Sequence, residues 1–176
     1  MENTFGKPII PENEKERLAA LHAYDIAGSS PERFFDNLAH IIAQSFDAPI
    51  ALISLVDEDA VYFKANVGMP GTDVVPRGVS LCSLAVLDSH PTIFENALEE
   101  PCLLTNPLVA GEFGLRFYAG APITTPEGFH IGTVCIVDKE PRVFSELEQE
   151  LLKRFADSAM EAILKRQQLL KGVEDS

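Results

Sequence analysis

Cys82, Cys102 and Cys135 are the residues of this chain with the widest chemical reach. A thiolate serves as nucleophile, redox partner or metal ligand. The three are separated by 20 and 33 positions with no Cys-x-x-Cys pair, which indicates neither a structural zinc site nor a disulfide framework. Cys82 follows Gly78-Val79-Ser80-Leu81, which reads as a strand, and opens a short helix. A helix N-terminus lowers a thiol pKa, so one reading is a reactive or redox-sensing thiol. The other is a buried small hydrophobe. Cys102 stands in the loop after Pro101, and a Cys82–Cys102 bridge needs a Cα separation that spacing does not supply. Cys135 falls inside a strand apolar on both faces and reads as core.

Other polar groups carry less. Arg116 could hold a carboxylate or phosphate through two hydrogen bonds, or could pair with Glu112 or Asp73. Tyr118 suits a core ring with a tethered hydroxyl. His22, His40, His90 and His130 show no metal-ligand spacing, and Asp57-Glu58-Asp59 reads as a solvated turn without the spacing of a calcium loop. No Gly-x-Ser-x-Gly elbow and no phosphate-cradling glycine loop occurs. No catalytic residue, metal ligand or cofactor is indicated.

These groups must be positioned by an ordered series of elements. Residues 1–11, with Gly6, Pro8 and Pro11, suit a flexible tail. Leu18, Leu21 and His22 recur at helical spacing between Pro11 and Tyr24. Ser30 and Pro31 suit the cap and first position of a second helix, with Phe34, Leu38, Ile41, Ile42 and Ser45 on one face. The run APIALISLVD (48–57) predicts a strand covered on both faces, and residues 61–67 complete a hairpin. Residues 68–116 are rich in glycine and proline, which allows only a short helix near 82–88, a short strand near 91–95 and ordered loops. Such a loop-rich stretch inside a compact domain is more often functional than idle. A second hairpin spans 117–123 and 129–138, and Ser145 caps a long helix reaching about Leu170.

Short turns between strands predict a largely antiparallel sheet. Helices cover one face and the broken middle covers the other, giving a three-layer α/β sandwich with a concave site under residues 68–116. The candidate ligand-binding set nearest that site is Phe63, Ser80, Cys82, Arg116 and Tyr118. Residues 12–165 form the one domain, and 166–176 are the helix end and a tail. The apolar stripe past Ile163 predicts a homodimer through the end helices. The 176 residues carry a formal net charge of -13, which disfavours direct contact with nucleic acid or an anionic membrane surface. The N-terminus lacks a secretory pattern and no apolar run is long enough to span a membrane, so a reduced, cytoplasmic setting is expected.

The chain resembles the GAF domain family of bacterial signalling proteins. The resemblance rests on ERLAALHAYDI (16–26), PIALISLVDEDAVYFKANVG (49–68), PRGVSLCSLAVL (76–87) and the stretch 106–145 containing RFYAGAPI and GTVCIVD. It implies a six-stranded antiparallel sheet, helices behind it and a small-molecule pocket in front. The function so implied is non-catalytic: a small-molecule effector, unidentified here, bound under the cover and a signal passed through the terminal helices to a partner signalling protein, no output domain being expected after the last helix. The alternative is a dimerisation or protein-interaction module whose pocket is filled by side chains. Departures are Tyr62 where the family often has Trp, and Ser83-Leu84 where it often has Ala-His. GAF-like methionine-R-sulfoxide reductases align one cysteine with Cys82, but Thr72 and the region of Gly111 stand where two others fall. That places a reductase or a cysteine-based redox sensor behind the first two readings. The Cys-His pair that attaches pigments in bilin-binding relatives does not occur.

Overall fold

The computed structural model describes residues 1–175, and Ser176, the end of the expected tail, lies outside them. Helix α1 (Glu14–Ala23) and helix α2 (Arg33–Phe46) come first. Strands β1 (Ile50–Val56) and β2 (Ala60–Val67) form the first hairpin, and β3 (Val74–Pro76) adds an edge to it. The middle holds α3 (Cys82–Ala85), β4 (Thr92–Phe94) and α4 (Pro107–Ala110), with two short 3-10 turns between the last two. Strands β5 (Phe117–Thr124) and β6 (His130–Asp138) form the second hairpin, and α5 (Glu146–Asp175) closes the chain. The sheet has six strands in the order β3-β2-β1-β6-β5-β4, antiparallel throughout.

The near-continuous apolar strands follow from two covered faces. Ala51, Ile53 and Leu55 of β1, with Phe117, Ala119, Val134 and Ile136, face the helices and meet Phe35, Ile42, Leu152, Ala159 and Ile163. The alternate residues Ile50, Leu52, Val56, Tyr118, Cys135 and Val137 face the cover and meet Leu81, Cys82, Leu84, Leu103 and Leu115. Period-two alternation across one sheet therefore builds two cores. Ser145 caps α5 as expected: its hydroxyl accepts from the Glu148 N–H and the Glu148 carboxylate accepts from the Ser145 N–H, both at 3.1 Å.

Several expectations are corrected. Residues 1–11 are irregular but docked: Phe5 and Ile9 are buried against the cover side, and Thr4 N–H donates to the Gly78 carbonyl at 3.0 Å. Phe34, Ile41 and Ser45 of α2 are exposed, and the buried face is Phe35, Leu38, Ala39, Ile42, Ala43 and Phe46. Two stripes of similar spacing compete on this helix, and the one containing alanines lets it approach the sheet closely. The helix starts at Arg33 with Glu32, not Ser30, at the cap position, and the Ser30 carbonyl accepts from Lys64 Nζ at 2.7 Å. Residues 78–81 form a turn in which Val79 and Ser80 N–H both donate to the Pro76 carbonyl at 3.1 Å, so the edge strand lies earlier, at β3. Helix α5 keeps contact past residue 165: Arg166 Nη1 donates to Tyr24 O at 3.0 Å and Gln167 Nε2 to Ala23 O at 3.2 Å. No helix among the described residues is long and apolar enough to cross a membrane.

Candidate functional site

Strand register sets a buried polar cluster on the cover face. Ser54 of β1 lies opposite Thr133 of β6, and Cys135 lies between Leu52 and Gly120. The two hydroxyls are 2.8 Å apart. Thr133 Oγ1 donates to Cys82 Sγ at 3.3 Å, which leaves Ser54 as donor to Thr133. Tyr118 donates its phenol proton to the same sulfur at 3.5 Å, and Cys135 Sγ lies 3.9 Å from it. The Cys82 N–H donates to Ser80 Oγ at 3.2 Å. Gly120 makes room for this arrangement: a Cβ there would overlap the Tyr118 hydroxyl.

Donors converging on one sulfur stabilise its thiolate. The hydrogen bond from Cys135 lowers the Cys82 pKa most; burial opposes it, and the nearby hydroxyls of Ser54, Thr133 and Tyr118 assist, bringing the thiol to about 5. Cys135 is pushed well above the usual thiol range by its bond to Cys82 and by burial. Burial, then the charge of the neighbouring thiols, raises Tyr118. Within the pair, Cys82 is the acidic member.

Phe63, Ser80, Cys82 and Tyr118 do line one cavity under the cover, together with Met69 and Phe113, but its volume is only about 30 Å³. Arg116 is not among its walls. Its guanidinium turns back to donate to Val109 O at 3.0 Å and Leu115 O at 2.9 Å, stitching the cover to the start of β5 rather than pairing with Glu112 or Asp73. Ser54 and Thr133 were missed by the sequence reading. Their signal was present, as a small hydroxyl residue interrupting each of two strands otherwise apolar on both faces. The thiol nearest Cys82 belongs to Cys135, not Cys102.

Two charged clusters tie the outer layers to the sheet. Glu14 of α1 accepts from Arg17 Nε at 2.8 Å and from Arg77 Nη2 at 3.1 Å, and both arginine side chains are fully buried. Arg17 Nη1 also donates to Val56 O at 2.7 Å. Burial alone would raise the Glu14 pKa, but the hydrogen bonds from Arg77 and Arg17 outweigh it and hold the carboxyl below its ordinary range. In the second cluster the buried Lys64 of β2 donates to Glu32 at 2.5 Å, and Arg166 of α5 donates to the same oxygen at 2.8 Å. Glu32 is lowered in the same way, with burial opposed by its bonds to Lys64 and Arg166. Beside this cluster, Phe34, Phe35, Ala162, Leu169 and Leu170 line an open apolar groove of about 430 Å³ between α2 and the end of α5.

Known proteins share this architecture. A family model described as the GAF domain matches residues 30–163. A cyclic di-GMP phosphodiesterase of Pseudomonas aeruginosa is 34% identical over 160 residues, which is 90% of this chain and 27% of that protein. The chain thus spans about a quarter of the length of this curated relative. Among solved structures, the GAF domain from an Acinetobacter phosphoenolpyruvate-protein phosphotransferase superposes with a TM-score of 0.63 at 17% identity, covering 89% of this chain and 96% of that one. A free methionine-R-sulfoxide reductase from Neisseria meningitidis, solved with its substrate, superposes with a TM-score of 0.62 at 15% identity, covering 89% and 90%. At these identities the two structures show the fold alone.

Proposed function

The chain belongs to the GAF domain family, and from that premise we propose that it is a non-catalytic regulatory domain of a signalling protein, working through its terminal helices as a dimerisation and interaction module. The observation carrying this reading is the cavity of about 30 Å³ under the cover. Pockets that hold small effectors measure roughly 300–1,000 Å³, so side chains occupy the space an effector would take. Phe63, Met69, Phe113 and Tyr118 are among the side chains that close it. The family's effector-binding role would require those side chains to move aside.

The exposed apolar residues support the interaction role. Phe34 is 59% exposed and Leu169 is 72% exposed, on either side of the groove between α2 and α5. Ile41 continues the α2 side of this surface at 50% exposure. A second copy of the chain supplies matching helices and would bury these side chains in a two-fold contact. The Lys64–Glu32–Arg166 cluster sits directly beneath, so a shift of α5 in such a dimer would be felt by β2. The curated relative carries a comparable stretch within a longer cyclic di-GMP phosphodiesterase, which fits a regulatory domain of that class of protein.

Native mass spectrometry of the protein purified from cells, followed by the denatured mass, tests the proposal. A dimer with no non-covalent mass excess is expected. A bound small molecule lost on denaturation would overturn the filled-pocket reading in favour of effector binding, and a monomer at all concentrations would overturn the dimer.

A further inference from the structure

Two buried thiols stand 3.9 Å apart on elements from different layers, Cys82 opening α3 of the cover and Cys135 in the middle of β6. Neither is needed for the regulatory role proposed above. A disulfide requires its sulfurs to approach to about 2.0 Å, so a closure of about 2 Å, shared between two side chains, would join them. Cys102 is only partly buried and contributes nothing to this cluster.

We propose that Cys82 and Cys135 form a reversible intrachain disulfide when the protein meets a small peroxide, so that the cover is bonded covalently to the sheet. Three features of the site favour this. The hydroxyls of Thr133 and Tyr118 both point protons at Cys82 Sγ, which supports the thiolate that attacks. The cavity of about 30 Å³ is lined by Cys82, Ser80 and Tyr118. One water needs roughly 10–15 Å³, so a molecule of two oxygen atoms fits. The resolving thiol is already in place beside the attacked one.

The chemistry balances in two displacements. The Cys82 sulfur attacks one oxygen of hydrogen peroxide, the O–O bond breaks, and the departing hydroxide takes up the proton that the Cys82 thiol gave up, leaving as water. Cys82 is then a sulfenic acid. The Cys135 sulfur attacks the Cys82 sulfur, the S–O bond breaks, and the released hydroxide takes the Cys135 proton to leave as water. The two sulfurs lose two electrons together and the peroxide gains them. Added dithiol reverses the change.

The test uses the full chain carrying Cys102→Ser, which removes the remaining thiol. It is exposed to hydrogen peroxide, quenched, unfolded with an alkylating reagent and weighed intact. Untreated protein should take up two alkyl groups. Treated protein should take up none, weigh two hydrogens less, and on proteolysis yield one peptide pair joined through positions 82 and 135. Dithiothreitol should restore both alkylation sites. Cys82→Ser and Cys135→Ser in the same background, checked for folding by circular dichroism, should each lose the joined peptide. The proposal is overturned if both thiols stay alkylatable after peroxide, if Cys82 proceeds to sulfinic acid while Cys135 stays free, or if the only disulfide formed is between two chains.

Discussion

Arg166, on the last helix, donates to the carboxylate of Glu32 at 2.8 Å from 134 positions along the chain. The same oxygen accepts from Lys64, so one carboxylate just before α2 joins the sheet to α5. Any movement of the terminal helix must stretch or break this bond. Loss of Glu32 leaves the ammonium of Lys64 buried with Ser29 and Ser30 as its remaining hydrogen-bond partners among the described residues.

Glu32→Ala should therefore destabilise the fold by about 2 kcal/mol, since it strands a buried charge that is still partly hydrogen-bonded. Glu32 is itself a third exposed, which keeps the cost below that of a fully buried pair. Arg166→Ala should cost less, and the double variant little more than Glu32→Ala alone. Urea unfolding of the four proteins measures the coupling, and fully additive losses would show that the two residues act independently.

Gly120→Ala should displace the Tyr118 hydroxyl from Cys82 and cost about 1–3 kcal/mol through overpacking. Tyr118→Phe should keep the packing and lose only the donor to the sulfur. Denaturation midpoints separate the two effects: equal losses would mean that the hydrogen bond, not the space, is what Gly120 protects.

The carboxyls of Glu14 and Glu32 are both held below their ordinary value of 4.5. Each binds its proton more weakly in the folded chain than in the unfolded one. Their contribution to stability is thus complete above the ordinary value and lost as pH falls through 4.5 toward the lowered folded values. Urea midpoints taken across this range should fall steeply with acid in the native protein and less steeply in Glu14→Gln. An unchanged slope in that variant would remove Glu14 from the account.

Phe34→Glu and Leu169→Glu should each weaken self-association by at least about tenfold, as expected for an aromatic or aliphatic anchor at the centre of an interface. Both positions are exposed, so the monomer should remain folded. Light scattering over a concentration series reads the change. Leu98→Glu, also exposed but on the cover side, serves as the control and should leave association intact.

The hairpins, the two-faced strands and the cap of α5 were all legible because they are local. Alternation, a turn of three residues and a Ser–Glu pair three positions apart act over short stretches of chain. The buried face of α2 was not, because Phe34–Ile41 and Phe35–Ile42 have the same seven-residue spacing. Only the sheet beneath selects between them. Phe5 and Ile9 looked like tail residues for a related reason: the cover that buries them is assembled from segments far along the chain.

The same division runs through the candidate site. Residue types and order carried the family, the layer arrangement and the cover-facing placement of Phe63 and Tyr118, since strand alternation decides which face each takes. The direction of Arg116, the filling of the cavity and the meeting of Cys82 with Cys135 depended on tertiary structure. Each is set by strand register and by the docking of an irregular cover, and neither is encoded in spacing along the chain: two thiols 53 positions apart become neighbours only when α3 settles on β6.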